Sequence, residues 1–285
     1  MAVLVVKFSK NIFIIYIIFN KYKINKNIMN KITTLLLLVI TLTSALFAQG
    51  TAGTNAKFEY RSLIDIETAG VLEKGYVGVD IDVLPQGVLI SSIEVGVFNN
   101  FSFGISYGAE NMIGSGSVNF YPLPGVYIKG RIFDEAQIMP AIAVGFNSQG
   151  KGAYINSLNR YEIKSPGFFV SASKNFEFLG YLSLHAMLNY TLERDDNDKD
   201  MNFAFGLEKT IGGKISIYAE YDFALNDDNP LSLGAGKGYL NMGARWSVAE
   251  GFTIGLDLRD LLSNQKIDAY SADRALYVEY IAPIF

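Results

Sequence analysis

The sequence contains no cysteine. That excludes disulfides, thiolate metal sites and lipid attachment at a cysteine, while leaving the compartment open. Histidine occurs once, at His185, so no imidazole cluster can form. Basic charge is scarce beyond the first 48 residues. Those hold six lysines and no acid, which leaves 18 lysines and arginines against 28 acids and a formal charge of −10 over 49–285. The basic patch that nucleic acid would require is missing, and nucleic acid is excluded as a partner. Long apolar runs are missing too. After Ala48 no stretch is apolar for the ~20 residues that a spanning helix needs.

Apolar residues are nevertheless abundant. Half of the 285 residues are hydrophobic, 13% are aromatic, 18% are charged, and mean hydropathy is +0.21. They are distributed by alternation. In "KISIYAEYDFAL" (214–225) Ile215, Ile217, Ala219, Tyr221, Phe223 and Leu225 interleave with Ser216, Tyr218, Glu220, Asp222 and Ala224. This is the period of a β-strand, whose successive side chains take opposite faces. "YVGVDIDV" (76–83) sets Asp80 and Asp82 opposite its valines, and "FTIGLDLRD" (252–260) sets Asp257 and Arg259 opposite its leucines. "FSFGISYG" (101–108) and "LSLHAMLNYTLE" (182–193) repeat the pattern. Weaker examples lie near 88–98, 125–133, 140–147, 167–174, 202–210, 239–248 and 275–282, about twelve segments in all.

Connections alternate between short ones, such as Asn99-Asn100 and Ile211 to Gly213, and long polar ones, such as 148–165 and 226–238. Only "PQG" (85–87) is short where a long one is due. Aromatics gather at both strand ends: Phe176, Phe178, Tyr181 and Trp246 near short turns, Tyr107, Tyr190 and Phe223 near long loops. Phe285 ends the chain, as outer-membrane barrels often end. Together these features predict an all-β, antiparallel up-and-down transmembrane barrel of about 12 strands, in a bacterial outer membrane and in contact with its lipid. A soluble sandwich would have to bury a face carrying glycines and charges, a poor core.

The predicted organisation has four parts. Residues 1–28 read as an upstream extension outside the fold. Residues 29–48 read as a signal peptide, with Lys31 before the apolar Leu35–Leu42 stretch and Ala48 before the cut. Residues 49–75 form a periplasmic or plug segment, and 76–285 form the barrel. An acid-rich inner face is expected, lined by Asp80, Asp82, Glu94, Glu208, Glu220, Asp222, Asp257 and Glu279. The bases Lys129, Arg131, Arg245 and Arg259 stand opposite them, and His185 is on the same face. Charges in a narrow lumen must be paired or hydrated, so a lumen filled with ion pairs is expected, with a preference for cations if the barrel conducts.

Two stretches, "RSLIDIETAGVLEKGYVGVDID" (61–82) and "PGVYIKGRIFDEAQIMPAIAVGF" (124–146) with "FFVSASKNF" (168–176), resemble the YjbH family of outer-membrane proteins linked to exopolysaccharide export. The resemblance covers about half of the exported chain. It implies an envelope barrel and a polysaccharide or small solute as partner, and it carries no catalytic motif.

Candidate chemistry is weak by comparison. "GISYG" (104–108) has the hydrolase spacing, but Ser106 sits inside a strand where the motif needs a strand–turn–helix elbow. Glu220 and Asp222 lie ~7 Å apart along a strand, which overlaps the inverting glycosidase range, yet ion pairing accounts for them. "DDNDKD" (195–200) lacks the glycine of a calcium loop and reads as a solvated loop. "GAGKG" (234–238) lacks the Ser or Thr of a phosphate loop and reads as flexible. Neither cofactor nor metal is expected, and the reading is non-enzymatic. The oligomeric state is left open.

Overall fold

The computed structural model describes residues 50–266 and 272–284. The extension and signal peptide expected over 1–48, and the terminal Phe285, lie outside the described residues. Fifteen strands follow in chain order. They are β1 (Tyr76–Val83), β2 (Leu89–Phe98), β3 (Phe101–Glu110), β4 (Asn119–Phe120), β5 (Gly125–Phe133), β6 (Ala141–Asn147), β7 (Lys151–Ile155), β8 (Arg160–Ile163), β9 (Gly167–Glu177), β10 (Tyr181–Tyr190), β11 (Asn202–Ile211), β12 (Ile215–Asp222), β13 (Tyr239–Ala249), β14 (Phe252–Arg259) and β15 (Asp273–Pro283).

Twelve of these close a ring. Every neighbour pair is antiparallel, and β1 bonds both to β2 and to β15, with Asp80 opposite Glu279. Closure leaves no free edge, so every backbone polar group of the wall can be satisfied within the sheet. The other three strands decorate the long-loop end. β4 extends the β3 hairpin, and β7 pairs with β8 inside the 148–166 connection. Reading 148–165 as a plain polar loop missed that hairpin. Its Tyr154 and Tyr161 pack edge-on, and Tyr161 also packs against Tyr121.

The alternation sorts residues as the membrane requires. Phe103, Ile217 and Leu256 are 41%, 43% and 66% exposed on the outside, whereas Glu220 and Glu279 are 2% and 1% exposed within. Phe176, Phe178, Tyr181 and Trp246 are exposed at the short-turn end, and Tyr107 and Phe223 at the other, the two aromatic girdles of an outer-membrane barrel. This is an outer-membrane β-barrel of twelve strands, whose long-loop end is termed extracellular and whose short-turn end is termed periplasmic, after the usual arrangement of such barrels. The exception is again Pro85–Gly87, a single 3₁₀ turn on the extracellular side with Gln86 and Gly87 at positive φ.

Candidate functional site: a filled lumen

A twelve-strand barrel encloses more space than wall side chains of ordinary size can fill. Residues 50–75 occupy that space. The segment starts at the periplasmic end, where Ala52 N–H donates to Ser247 Oγ (2.9 Å), Gly53 N–H to Ser216 Oγ (2.9 Å) and Thr54 N–H to the Gly212 carbonyl (2.9 Å). It climbs to a tight reversal at Leu63–Ile66, closed by Leu63 N–H on the Ile66 carbonyl (2.9 Å), and returns with Thr68 N–H on the Arg61 carbonyl (3.1 Å). Gly75 N–H on the Gly96 carbonyl (2.9 Å) hands it over to β1. Apolar side chains help to seat it. Tyr60, Leu63 and Ile64 pack on Tyr218, and Ile66 packs on Phe169, Met187 and Ala204.

Most charged lumen residues of the wall meet this segment or a loop. Arg61 pairs with Asp80 (2.8 Å), Glu279 (2.7 Å) and Glu94, residues of three adjacent strands. Gly78 makes room for it, because a Cβ there would lie 3.1–3.2 Å from the guanidinium. Glu220 accepts the N–H groups of Ile64 (3.0 Å), Asp65 (2.8 Å) and Ile66 (3.2 Å), capping the reversal. Asp65 in turn receives Arg259 at 2.8 Å on both oxygens. Lys129 is fully buried. It pairs with Glu67 (3.0 Å) and donates to the carbonyls of Arg61 (2.6 Å), Thr68 (3.1 Å) and Gly70 (3.2 Å).

Arg245 makes no ion pair among the described residues. It donates to the carbonyls of Ser62 (3.1 Å) and Leu63 (2.6 Å) and stacks on Tyr277, Tyr60 and Tyr218 with its Cζ 4.1–5.2 Å from the ring centres. Arg131 holds Glu59 and Asp134 near the periplasmic end. Asp82 pairs with Lys151 of β7, Asp257 accepts the Tyr218 hydroxyl, and Glu208 accepts the Ser216 hydroxyl (2.7 Å).

The wall's acids and bases pair mostly with residues 59–67 and a loop lysine, not with one another. The reason is steric as well as electrostatic: a strand points its charge to the axis, and the axis is occupied. The sequence reading missed Arg61, Asp65 and Glu67 as lumen residues. The signal available was the surplus of inward acids, which calls for a cation from outside the wall.

The chemical alternatives separate cleanly. Ser106 donates to Gln149 (3.0 Å), and His185 shares Nδ1 with Ser173 Oγ (2.8 Å), so the structure does not bring the two together. Asp222 is held by Asn202 (2.7 Å) and the Ala224 N–H (2.7 Å), and Glu220 by the reversal. Both are committed to structure.

Two readings of the loops are overturned. Asp196 and Asp198 of "DDNDKD" are fully buried rather than solvated. Asp196 meets Arg160 (2.7 Å) and Lys164 (2.7 Å), and Asp198 accepts the N–H of Asp228 (3.0 Å) and the Ser232 hydroxyl (3.2 Å). Burial pushes the Asp196 carboxyl up, but Lys164, the Asp198 N–H and Arg160 together hold it below the usual aspartate value. "GAGKG" is pinned as well, with Ala235 N–H on the Asn264 carbonyl (2.7 Å) and Lys237 N–H on Asn264 Oδ1 (2.8 Å). These loops form a cap over the extracellular mouth.

Two chambers remain beyond the plug's ends. One, about 460 Å³, lies on the extracellular side between Pro85, Gln86, Asp65, Tyr239, Asn241 and Arg259. The other, about 440 Å³, lies on the periplasmic side between Tyr60, Arg131, Glu135, Tyr181, His185 and Glu208. Both are of ordinary small-molecule size.

No family model matches the chain, and no curated protein matches it. Among solved structures it is similar to the KdgM porin at 11% identity and a TM-score of 0.47, over 72% of this chain and 98% of that one. The same porin in complex with disordered oligogalacturonate matches at 12% identity and 0.47 over the same shares. The Acinetobacter baumannii outer membrane protein Omp33 matches at 10% identity and 0.42, over 73% of this chain and 98% of that one.

Proposed function

We propose that the protein is a non-enzymatic outer-membrane transport barrel for small polar solutes, closed at rest by residues 50–75. The observation that carries this reading is a closed wall whose lumen is interrupted by a tethered segment, with a chamber on either side. A barrel built only as a scaffold has no need of chambers; a channel needs both. The likeness of residues 61–82, 124–146 and 168–176 to the YjbH family supports exopolysaccharide secretion as the setting. Surplus acid on the inner face supports a preference for cations over anions.

A second reading, a permanently plugged structural or adhesion barrel, is favoured by the tight pairing of the plug. Planar-bilayer recording separates the two. The channel reading expects rare openings of the wild-type protein, frequent ones in Arg61→Ala, and cation-preferring current in both. Silence in both proteins, each shown folded by its far-ultraviolet spectrum, leaves the structural reading standing and removes the channel.

A further inference from the structure

The seat of Arg61 is overcharged. One guanidinium faces three carboxylates, Asp80, Glu94 and Glu279, and all four side chains are at most 14% exposed. Two of the three acids have additional donors. The Tyr277 hydroxyl serves Asp80 (2.9 Å) and Glu279 (3.1 Å), and the Thr51 hydroxyl serves Glu279 (2.7 Å). Among the described residues Glu94 has none besides Arg61. Its Oε1 is buried without a hydrogen-bond partner, and the residue as a whole is 5% exposed. A buried carboxylate oxygen in that condition is costly and is ordinarily matched by a donor.

Glu94 lines a cavity of about 110 Å³ that lies between the plug and the β1–β3 side of the wall. Asp80, Ser92, Ser106 and Gln149 also line it, as do Lys151 and Lys164, which are already committed to Asp82 and Asp196. The lining thus offers acceptors in excess of donors beside a net negative seat. No three carboxylate or imidazole side chains come close enough to hold a metal ion among the described residues. The chemistry that fits is an organic cation that presents several N–H groups at once, because hydrogen bonds spread over separated oxygens suit a planar or tetrahedral N–H donor.

We propose that this cavity is a binding site for a small cation with a primary-amine or guanidinium head, which donates to Glu94 beside the guanidinium of Arg61. Arg61 is then a built-in version of the ligand: it touches all three acids but balances only one of their charges, which leaves the seat net negative. The site does not depend on conduction, so it stands or falls separately from the channel reading.

The test is thermal unfolding of the detergent-solubilised protein at pH 7 with methylguanidinium chloride. Methylurea, a neutral molecule of nearly the same shape, and sodium chloride at equal ionic strength serve as controls. The wild-type protein is expected to gain about 2–4 °C at several times the dissociation constant, with neither control reproducing the gain. Glu94→Gln is expected to abolish it. Arg61→Ala, which vacates the seat, is expected to bind methylguanidinium at least tenfold more tightly. If Arg61→Ala folds only with the cation present, that rescue supports the site, provided methylurea fails to give it. Equal shifts with methylurea or salt, or a shift that persists in Glu94→Gln, overturn the proposal. So does an Arg61→Ala protein that neither binds nor is rescued.

Discussion

The barrel holds two buried ion clusters, each built around an arginine, and they are balanced differently. In the extracellular cap, Arg160 and Lys164 face Asp196 and Asp227, two charges of each sign. Every carboxylate there is also served by neutral donors: Ser232 and the Asp198 N–H for Asp196, and Tyr239 and the Leu233 N–H for Asp227. In the lumen, Arg61 alone faces three acids, and both Glu94 Oε1 and Arg61 Nε lack partners. Burying charge is tolerable when it is paired and its remaining lone pairs are satisfied. The cap meets that condition and the plug does not. We read the cap as a finished closure that ties three loops together, and the plug as a closure one of whose anchors, Arg61, sits in an unbalanced acidic seat.

Removing the arginine from each cluster should expose this difference most strongly. Arg61→Ala leaves three carboxylates with no cation at their centre and is expected to cost about 3–5 kcal/mol. The loss should show as a lower denaturant midpoint of the whole barrel, because the acids sit on β1, β2 and β15, where the ring closes. Arg160→Ala also unpairs a buried acid, Asp227, but the elements concerned are loops outside the wall. Its cost should be paid as local opening. The expected signs are rapid protease cleavage within 191–201 and 223–238 and a barrel midpoint shifted far less than in Arg61→Ala. Equal midpoint shifts would erase the distinction drawn between the clusters.

Acid should act next, and on the cap. Asp196 titrates below its ordinary value of 3.8 despite burial. A depressed carboxyl contributes stability that is present above the unfolded value and lost as pH falls through the folded one. Glu193 in the same loop works the other way: burial raises its carboxyl, against the N–H groups of Ser165 and Tyr161 and the charge of Arg160. Its protonation therefore comes first on acidification and does not loosen the cap. The loops are expected to stay closed down to about pH 4 and to open below it, as read by pepsin cleavage in 191–201. Asp196→Asn should remove that acid limb and leave the loops accessible at every pH. A cap that opens between pH 5 and 7 would contradict the assignment.

Much of the wall was legible because a strand repeats every two residues and a lipid-facing wall has no other way to hide its backbone. All twelve barrel strands stand within a few residues of where alternation puts them, and even the lone short extracellular turn at Pro85–Gly87 was visible. What fills the interior was not legible. Alternation tells that Glu94 and Glu279 point inward, yet nothing local reports that their partner is Arg61, 33 and 218 residues away. The plug follows no strand period, since its backbone bonds to wall side chains such as Glu220 and Ser173 instead of to a ladder. The cap failed for the same reason. A run of acids looks solvated until Arg160, 36 residues away from Asp196, folds over it.

The smallest expected effect tests how tightly the plug is seated, using one substitution on the two faces of the wall. Gly78 faces the lumen and Gly130 faces outward; neither has positive φ, so neither needs glycine for its backbone. Replacing a strand glycine by alanine ordinarily stabilises by about 0.4–1 kcal/mol, because the unfolded chain loses freedom. At Gly130 the new methyl would meet Phe101 Cδ2 at 3.7 Å and the Asn100 carbonyl oxygen at 3.9 Å, both ordinary contacts, and that gain should appear. At Gly78 the methyl would lie 3.1 Å from Arg61 Nη1, and the guanidinium is fixed by three carboxylates and cannot retreat without lengthening an ion pair. The gain there should vanish or reverse, leaving Gly78→Ala up to about 1 kcal/mol less stable than Gly130→Ala. In Arg61→Ala the obstacle is gone, so adding Gly78→Ala should restore the gain. A double-mutant cycle measures that coupling directly. A coupling of zero would mean that Arg61 does not press on β1, and the tight seat would have to be abandoned.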